Sequence, residues 1–324
     1  MKTKILMALK GTEDYVSGQE LCERFGVSRT AIWKVMEKLK EEGYEIASVR
    51  NKGYKLVHAP DIFSAEEIKS RIHTRMIARN VLFFDELDST NTYCKKHGDE
   101  LEEGTLVVAD RQDAGKGSRG RGWESPAGVA VYMSLLLKPD ILPMYAPRLT
   151  LVMAVSIVRA LRRMGIEAGI KWPNDVVMNG KKLVGILTEM SSEVSYIHHV
   201  VIGAGINVQT EEFPEEIAHR ATSLYIETGE RLSRSELVAV VMDCFEEDYE
   251  KFLKNQDLSE LLEQYTQFSV TIGKEVRILA PGKEYVATAL SVDKEGQLLV
   301  EKEDGERVKV FADEVSVRGI YGYV

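Results

Sequence analysis

Apolar positions at helical spacing dominate the first sixty residues, and a short alternating segment follows them. Residues 18–25 have helical character, and Ser28 is a suitable N-cap for a second helix. The apolar positions of this second helix fall at i, i+3, i+4 and i+7, and they are Ile32, Val35, Met36 and Leu39. Residues 44–56 alternate around a turn, which indicates a hairpin. We therefore predict a winged helix-turn-helix domain in residues 1–60.

Residues 61–269 change to short apolar runs that predict strands. These runs are residues 81–84, 106–109, 129–137, 175–178, 183–189 and 199–204. Residues 149–164 are apolar nearly all round and predict a buried helix, and a capping box at 64–67 predicts a helix to about residue 75. Because the strands often adjoin without a crossover, we expect an α+β domain on a mixed sheet.

Residues 270–324 alternate in short runs separated by turn residues, which predicts a small barrel of about five strands. Two amphipathic helices, at residues 237–253 and 258–268, precede this segment. The barrel carries no catalytic signature of its own. The chain therefore divides into three predicted domains, with boundaries near residues 60 and 269.

The composition describes a chain of 324 residues that is too long for one ordinary core. We expect a cytoplasmic protein without a membrane span, because no apolar run approaches about 18 residues and the N-terminus lacks signal-peptide features. The three cysteines lie far apart and form no CxxC pair, which argues against disulfides and a structural zinc site.

The net charge of −9 disfavours nucleic-acid binding for the chain as a whole, but residues 24–55 carry eight basic and four acidic residues. The predicted DNA contacts on the second helix are Arg29, Thr30, Trp33 and Lys34, and those at the hairpin tip are Arg50 and Lys52. The alternative is a small helical bundle whose basic residues are merely solvated. Basic side chains on both helix and hairpin favour DNA contact at two points.

A glycine-rich loop follows the second predicted strand, and Gly115, Gly117 and Gly120 match the spacing GxGxxG. We reject a dinucleotide fingerprint because these glycines precede a strand and do not begin a helix. The loop also carries three cations that suit phosphate oxygens, namely Lys116, Arg119 and Arg121. A solvated surface loop is the alternative. The nearby Trp123 could equally stack on an aromatic ligand or fill the core.

Three further segments have both a plain and a functional interpretation. Lys171 precedes Trp172-Pro173-Asn174-Asp175, where it is either a turn lysine or a held ammonium that stabilises charge on an acyl or phosphoryl oxygen. Residues 88–91 cap a helix or bind a ligand. Residues 203–207 end a strand with glycines that permit either tight packing or a close ligand.

Together, these segments in this order resemble the bacterial biotin protein ligases of the bifunctional BirA type, which also repress the biotin operon. The resemblance covers the whole chain and rests on five motifs and the terminal domains. The motifs are DSTN at 88–91, GxGxxGRxW at 115–123 with Gln112 before it, KWPND at 171–175, KLxGIL at 182–187 and GAGIN at 203–207. The resemblance implies a class II synthetase-like central domain and an SH3-like C-terminal domain.

The family's chemistry has two half-reactions. Biotin and Mg-ATP give biotinoyl-5′-adenylate and pyrophosphate, and a lysine of a carboxylase carrier domain then attacks the mixed anhydride to form an amide. The implied substrates are biotin and ATP with Mg²⁺, and no metal is held by protein ligands alone. The implied partners are the biotin carboxyl carrier domain, operator DNA and a second copy of the chain, in a homodimer that the adenylate promotes.

The resemblance assigns roles residue by residue. The implied biotin-binding residues are Ser89, Thr90, Asn91, Gln112, Lys116, Gly117, Ser118, Lys171, Gly185, Gly203 and Gly205. The implied residues for ATP and the adenylate are Lys116, Arg119, Arg121, Trp123, Asn174 and Asn207. Lys171 and Arg121 carry the catalytic roles, with Lys171 steadying the acyl-phosphate oxygens.

Two positions depart from the family, whose members usually read GRGRxGR in this loop. This chain has Lys116 for the first arginine and Ser118 for the second. Lys116 keeps the charge, whereas Ser118 removes a cation whose contact is worth about 1.5–3 kcal/mol. We expect the adenylate to leave the active site and acylate nearby lysines, as in promiscuous ligases engineered for proximity labelling. We also expect the homodimer to be weakened. The alternative is natural variation that Arg119 compensates.

Two other functions remain open from the residues alone. A lipoate-type ligase shares the catalytic scaffold, although the GxGxxGR loop and the winged head favour biotin. The other alternative is a ligand-sensing transcription factor without ligase activity, and Lys171 and Arg121 argue against it.

Overall fold

The computed structural model describes residues 1–49, 52–58, 62–280, 283–312, 316–319 and 323. The N-terminal elements are α1 (Lys2–Lys10), α2 (Gly18–Phe25), α3 (Arg29–Glu41), β1 (Glu45–Val49) and β2 (Gly53–His58). Ser28 caps α3 because its side chain accepts a hydrogen bond from the amide of Ala31. β1 and β2 pair antiparallel after the helices, and the predicted helix-turn-helix is confirmed. Arg50 and Asn51 lie outside the described residues.

The central domain has seven α-helices and seven strands among its described residues. Its helices are α4 (Ala65–Lys69), α5 (Thr90–His97), α6 (Leu149–Arg163), α7 (Glu215–Ala218), α8 (Leu224–Thr228), α9 (Arg234–Asn255) and α10 (Leu262–Phe268). Its strands are β3 (Val81–Leu87), β4 (Leu106–Gln112), β5 (Ala130–Leu137), β6 (Gly169–Lys171), β7 (Asp175–Met178), β8 (Lys181–Ser192) and β9 (Ile197–Asn207). Four of the strands, β6 to β9, follow one another along the chain.

These strands form one seven-stranded sheet in the order β3-β4-β5-β9-β8-β7-β6. β3 and β4 run parallel, and the other neighbours are antiparallel, so the predicted mixed sheet is confirmed. The short edge strand β6 was not predicted. The helix predicted from residue 64 to about residue 75 ends at Lys69. The backbone of residues 75–77 is not helical, and its amides donate to the Glu246 carboxylate instead of to helical carbonyls.

The sheet separates two apolar layers. α6 and α9 contribute to the larger core with sheet residues such as Val108 and Leu135, while α5 covers Val107 and Leu136 through Cys94. Residues Pro143–Arg163 are the one described helical run whose length and hydropathy suit a membrane span. Its most apolar stretch is 67% buried inside the protein, as expected for a core helix.

The C-terminal elements are β10 (Glu275–Ala280), β11 (Lys283–Val292), β12 (Leu298–Lys302), β13 (Arg307–Val310) and β14 (Ser316–Gly319). They form an antiparallel sheet in the order β13-β12-β11-β10-β14. Among the described residues this ladder is open, so the SH3-like barrel stays a prediction. The sheet packs on the central domain, where the Trp172 indole donates to the carbonyl of Gly296 at 3.0 Å.

One buried carboxylate joins the N-terminal domain to the central domain. Glu67, on α4, is 1% exposed and contacts Lys10 and Tyr44 of the head as well as Arg71 on its own side of the interface. Burial favours a raised pKa for Glu67, but the contacts with Lys10, Tyr44 and Arg71 lower it below its usual value. The carboxylate is therefore charged when the domains are packed together.

We predict that Glu67→Gln destabilises the protein by about 3 kcal/mol, the lower end for a broken buried ion pair, because Lys10 and Arg71 keep some solvent access. Since the folded pKa is lowered, the stabilisation is present above the unfolded pKa of about 4.3 and is lost as the pH falls through the folded value. Denaturant titrations between neutral and acidic pH measure both effects. Glu66→Gln, one position earlier, is the control, and equal stability of the two variants would contradict the prediction.

Candidate active site

The glycine-rich loop forms a narrow hairpin over the central sheet. Gln112 pairs with Ser125 and Lys116 pairs with Gly122 across it. Residues 118–120 make a single 3₁₀ turn at the tip. Because no α-helix begins at these glycines, the loop differs from a dinucleotide fingerprint, in agreement with the sequence.

Two glycines of the sheet lie beneath Trp123, which the hairpin carries. Gly185 of β8 and Gly205 of β9 are direct partners in the antiparallel ladder. A Cβ atom would stand 2.7 Å from the indole at Gly185 and 2.6 Å from it at Gly205. The half-buried indole therefore occupies a trough that only glycines leave open.

A hydrogen-bonded chain of polar side chains lies beside this trough. The amide and hydroxyl of Thr90 donate to Gln112 Oε1 at 2.9 and 3.1 Å. Gln112 Nε2 donates to Ser125 at 2.9 Å, and Ser134 Oγ lies 2.7 Å from Thr90 Oγ1. These hydrogen bonds fix the orientation of Gln112 and Thr90, the two residues that the resemblance assigns to biotin.

Asn91 continues this network on the side of β9. Its amide donates to Glu189 Oε2 at 3.0 Å, and a Cβ at Gly203 would stand 2.1 Å from its Oδ1. Burial raises the pKa of Glu189, but hydrogen bonds from Lys95 and Asn91 outweigh it and lower the pKa. Gly203 thus makes room for Asn91, which is the packing interpretation of this glycine.

Two adjoining cavities meet at Trp123. The inner cavity is lined by residues that include Ser89, Thr90, Asn91, Gln112, Lys116, Asn174, Gly185, Gly203 and Gly205. The outer cavity is lined by residues that include Arg121, Asn207, Phe213, Pro214, Arg220 and Tyr323. Both share Gly117, Ser118, Trp123, Tyr132 and Lys182. The inner cavity measures about 40 Å³ and the outer about 350 Å³, so the outer one alone has the volume of a ligand pocket.

Lys182 lies where the two cavities meet. Its ammonium stands 2.5 Å from Asp175 Oδ1 and 5.3 Å from the centre of the Trp123 ring. Lys182 belongs to the KLxGIL motif and has no predicted role. In the β7–β8 ladder it pairs with Val177, two positions after Asp175 of the KWPND segment.

Lys171, which the resemblance assigns to the acyl-phosphate oxygens, lies beside Tyr323 of the outer cavity. It is 6% exposed, and its ammonium stands 3.4 Å from the centre of the Tyr323 ring. It is absent from the described lining of both cavities. Lys182 lines both cavities, and the role of Lys171 stays a prediction.

The remaining predicted residues are distributed between the cavities. Asn174 donates to the carbonyl of Ile186 at 2.9 Å, and Asn207 donates to the carbonyl of Thr222 at 3.0 Å. The side chain of Arg119 lies outside the described part of the structure. Arg220 is a further cation of the outer cavity. The sequence did not indicate it, because Arg220 belongs to no recognisable motif.

The predicted DNA-binding residues lie on the exposed face of α3. Arg29, Thr30, Trp33 and Lys34 are all exposed, and Trp33 is 54% exposed despite its size. Arg29 donates to the Gln19 side chain at 2.9 Å, which joins α3 to α2. Lys52 stands 6.0 Å from the centre of the Tyr15 ring.

Known proteins resemble all three parts of this arrangement. The biotin/lipoate A/B protein ligase family matches residues 83–207, an HTH domain matches 2–55, and the biotin protein ligase C terminal domain matches 271–318. The bifunctional ligase/repressor BirA of Bacillus spizizenii is 38% identical over 96% of this chain and 96% of its own length. The chain belongs to the biotin protein ligase family.

Two other relatives extend the comparison. The bifunctional ligase/repressor BirA of Escherichia coli is 31% identical over 97% of this chain and 96% of its own length. A solved biotin protein ligase from Aquifex aeolicus, in complex with biotin and ATP, is 33% identical with a TM-score of 0.67. The structural match covers 74% of this chain and 99% of the Aquifex aeolicus chain.

We predict that Gly205→Ala displaces the Trp123 ring and costs about 1–3 kcal/mol of stability, as overpacking does in a filled site. Denaturant titration and tryptophan fluorescence measure the two effects, and Trp123→Phe identifies the signal of that ring. Gly122→Ala is the control, because an added Cβ there meets no atom within 4 Å. Unchanged stability and fluorescence in Gly205→Ala would refute the packing of Trp123 on this glycine.

Proposed function

We propose that this chain activates biotin with Mg-ATP as biotinoyl-5′-adenylate and transfers biotin to a lysine of a carboxylase carrier domain. The observation that carries the proposal is the pair of cavities that meet at Lys182 and Trp123. The inner one is polar, and the outer one is lined by Arg121, Lys182 and Arg220 as well as by Glu124 and Glu212. A ligase of this kind must bring a carboxylate against a phosphate. The junction is where these two anions would meet.

The inner cavity suits the head group of biotin. Ser89, Thr90 and Gln112 offer hydroxyl and amide groups to its ring oxygen and nitrogens. Its small volume implies that the Trp123 hairpin moves when biotin enters. Such movement is compatible with Trp123 stacking on the adenine afterwards, and the unpartnered Trp123 Nε1 then gains a chance to donate.

The outer cavity suits ATP. Arg121 and Arg220 bring guanidinium groups for phosphate oxygens, and Asn207 stands beside them for the adenosine. Among the described residues, no group of three or more His, Cys, Asp or Glu could hold a metal ion. We therefore assign Mg²⁺ to the phosphates of ATP, with which it would enter.

The two steps follow from this placement. A carboxylate oxygen of biotin attacks the α-phosphorus, and pyrophosphate leaves with its bonding electron pair. The carrier lysine, after losing a proton, then attacks the acyl carbon, and AMP leaves. Lys182 stands where negative charge increases in both steps, so we assign to it the electrostatic role that the sequence gave to Lys171.

We predict that Lys182→Met lowers biotin-dependent ATP–pyrophosphate exchange about 10²- to 10³-fold, the usual loss for one group that stabilises developing charge. Lys181→Met, the neighbouring lysine on the same strand, is the matched control and should retain exchange. Equal activity of the two variants would remove Lys182 from the mechanism. Exchange that depends on lipoate would favour the lipoate-type ligase, and no exchange in the wild type would favour a sensor without ligase activity.

We also propose that the adenylate of this chain is released more readily than in relatives with an arginine at position 118. Ser118 lines both cavities and is exposed, so an arginine there would bring a cation to their shared opening. One such charge-assisted contact corresponds to about ten- to hundredfold in retention. The free mixed anhydride would acylate lysines of bystander proteins.

We predict that Ser118→Arg suppresses biotinylation of a bystander protein while the carrier domain is still labelled. Mass spectrometry of a mixture of carrier and bystander locates the biotin, and Ser118→Ala, which adds no cation, should label as the wild type does. If Ser118→Arg biotinylates the bystander protein as strongly as the wild type does, the proposal is wrong. Sedimentation with biotin and ATP on the same variants should show a weaker dimer in the wild type than in Ser118→Arg.

The head and the remaining partners complete the proposal. The exposed basic face of α3 would contact operator DNA, and a homodimer promoted by the adenylate would present two such heads. The exposed Val194 and Tyr196 at the β8–β9 turn, 101% and 58% exposed, offer apolar surface for a second copy. The proposal also includes domain boundaries near residues 60 and 269, a cytoplasmic location of the protein, and closure of the C-terminal sheet into an SH3-like barrel.

A further inference from the structure

A tyrosine near the end of the chain reaches the outer cavity of the central domain. The Tyr323 hydroxyl donates to Asp175 Oδ2, and its ring lies against the ammonium of Lys171. Tyr323 is part of the lining of the outer cavity, together with Arg121 and Arg220. A residue distant in sequence thus contacts the KWPND segment.

Asp175 connects this tyrosine to the junction of the cavities. The carboxylate is buried, with 8% of the residue exposed, and its other oxygen forms the ion pair with Lys182 at 2.5 Å. A buried carboxylate keeps one orientation only if both oxygens have partners. Tyr323 donates a hydrogen bond to one oxygen, whereas Lys182 contacts the other as an ion-pair partner without a hydrogen bond, so the tyrosine determines which oxygen faces the lysine.

The hydroxyl keeps its proton throughout the range in which a ligase works. Burial raises the pKa of Tyr323, and the neighbouring Asp175 charge raises it further. The group therefore acts as a permanent donor. Lys182 must exchange its contact with Asp175 for substrate oxygens, and the hydroxyl stabilises the carboxylate while the lysine is away.

We propose that Tyr323 is a positioning residue for the activation step, acting on Lys182 through Asp175. The inference rests on the proposed ligase function and extends it to the C-terminal segment. Without the hydroxyl, the carboxylate is free to rotate and to hold the ammonium through both oxygens. Lys182 would then be less available to the phosphate and biotin oxygens at the junction.

The test compares Tyr323→Phe with Tyr285→Phe, a conservative change at a C-terminal tyrosine whose ring contacts Lys302. Exchange kinetics give kcat and KM for ATP, and calorimetry gives the affinities for biotin and for a non-hydrolysable ATP analogue. We expect Tyr323→Phe to lose about ten- to hundredfold in kcat/KM for ATP, the value of a hydrogen bond to a charged group. Biotin affinity and melting temperature should match those of Tyr285→Phe.

Asp175→Asn in both backgrounds separates positioning from simple packing. If Tyr323 acts through Asp175, the losses of the two single variants are not additive in the double variant. Full exchange in Tyr323→Phe beside an active wild type, additive losses, or an equal loss of biotin affinity and stability would each overturn the inference. A wild type without biotin-dependent exchange would instead overturn the proposed function, and this inference with it.

Discussion

The candidate site depends on the antiparallel pairing of β8 with β9, which sets Gly185 directly opposite Gly205. Two missing side chains at facing positions open a trough in the sheet. Because a slip of one residue would bring Ile186 and Ala204 to this face, the register itself creates the space. Trp123 occupies the trough, and the two cavities lie on either side of its ring.

Two carboxylates, the buried Asp175 and the half-buried Glu189, hold the polar groups around this trough. Asp175 pairs with Lys182 and accepts from Tyr323, and Glu189 accepts from Asn91 and pairs with Lys95. A cation with a built-in partner is oriented before the ligand arrives, but an anionic ligand must compete with that partner. The chain has a net charge of −9, so attraction for a phosphate comes from local cations and not from the overall field.

The same segments that line the site also join the domains. The Trp172 amide donates to Thr271 Oγ1 and its indole donates to the carbonyl of Gly296, so the KWPND segment also contacts the C-terminal domain. On the opposite side, Glu67 binds the head through Lys10 and Tyr44. Both terminal domains are thus anchored to the central domain by buried polar contacts, which have strict geometry.

Local pattern predicted most helices apart from α1, α7 and α8, most strands, the basic face of α3 and the glycine-rich loop, because spacing and turn chemistry act over a few residues. It left open whether Trp123 and Gly203 pack or bind, and it favoured Lys171 over Lys182. Only the tertiary structure shows which of these residues line a shared cavity, since strand order and register determine which side chains reach it. The contact between Tyr323 and Asp175 spans 148 positions, a separation over which no local pattern carries information.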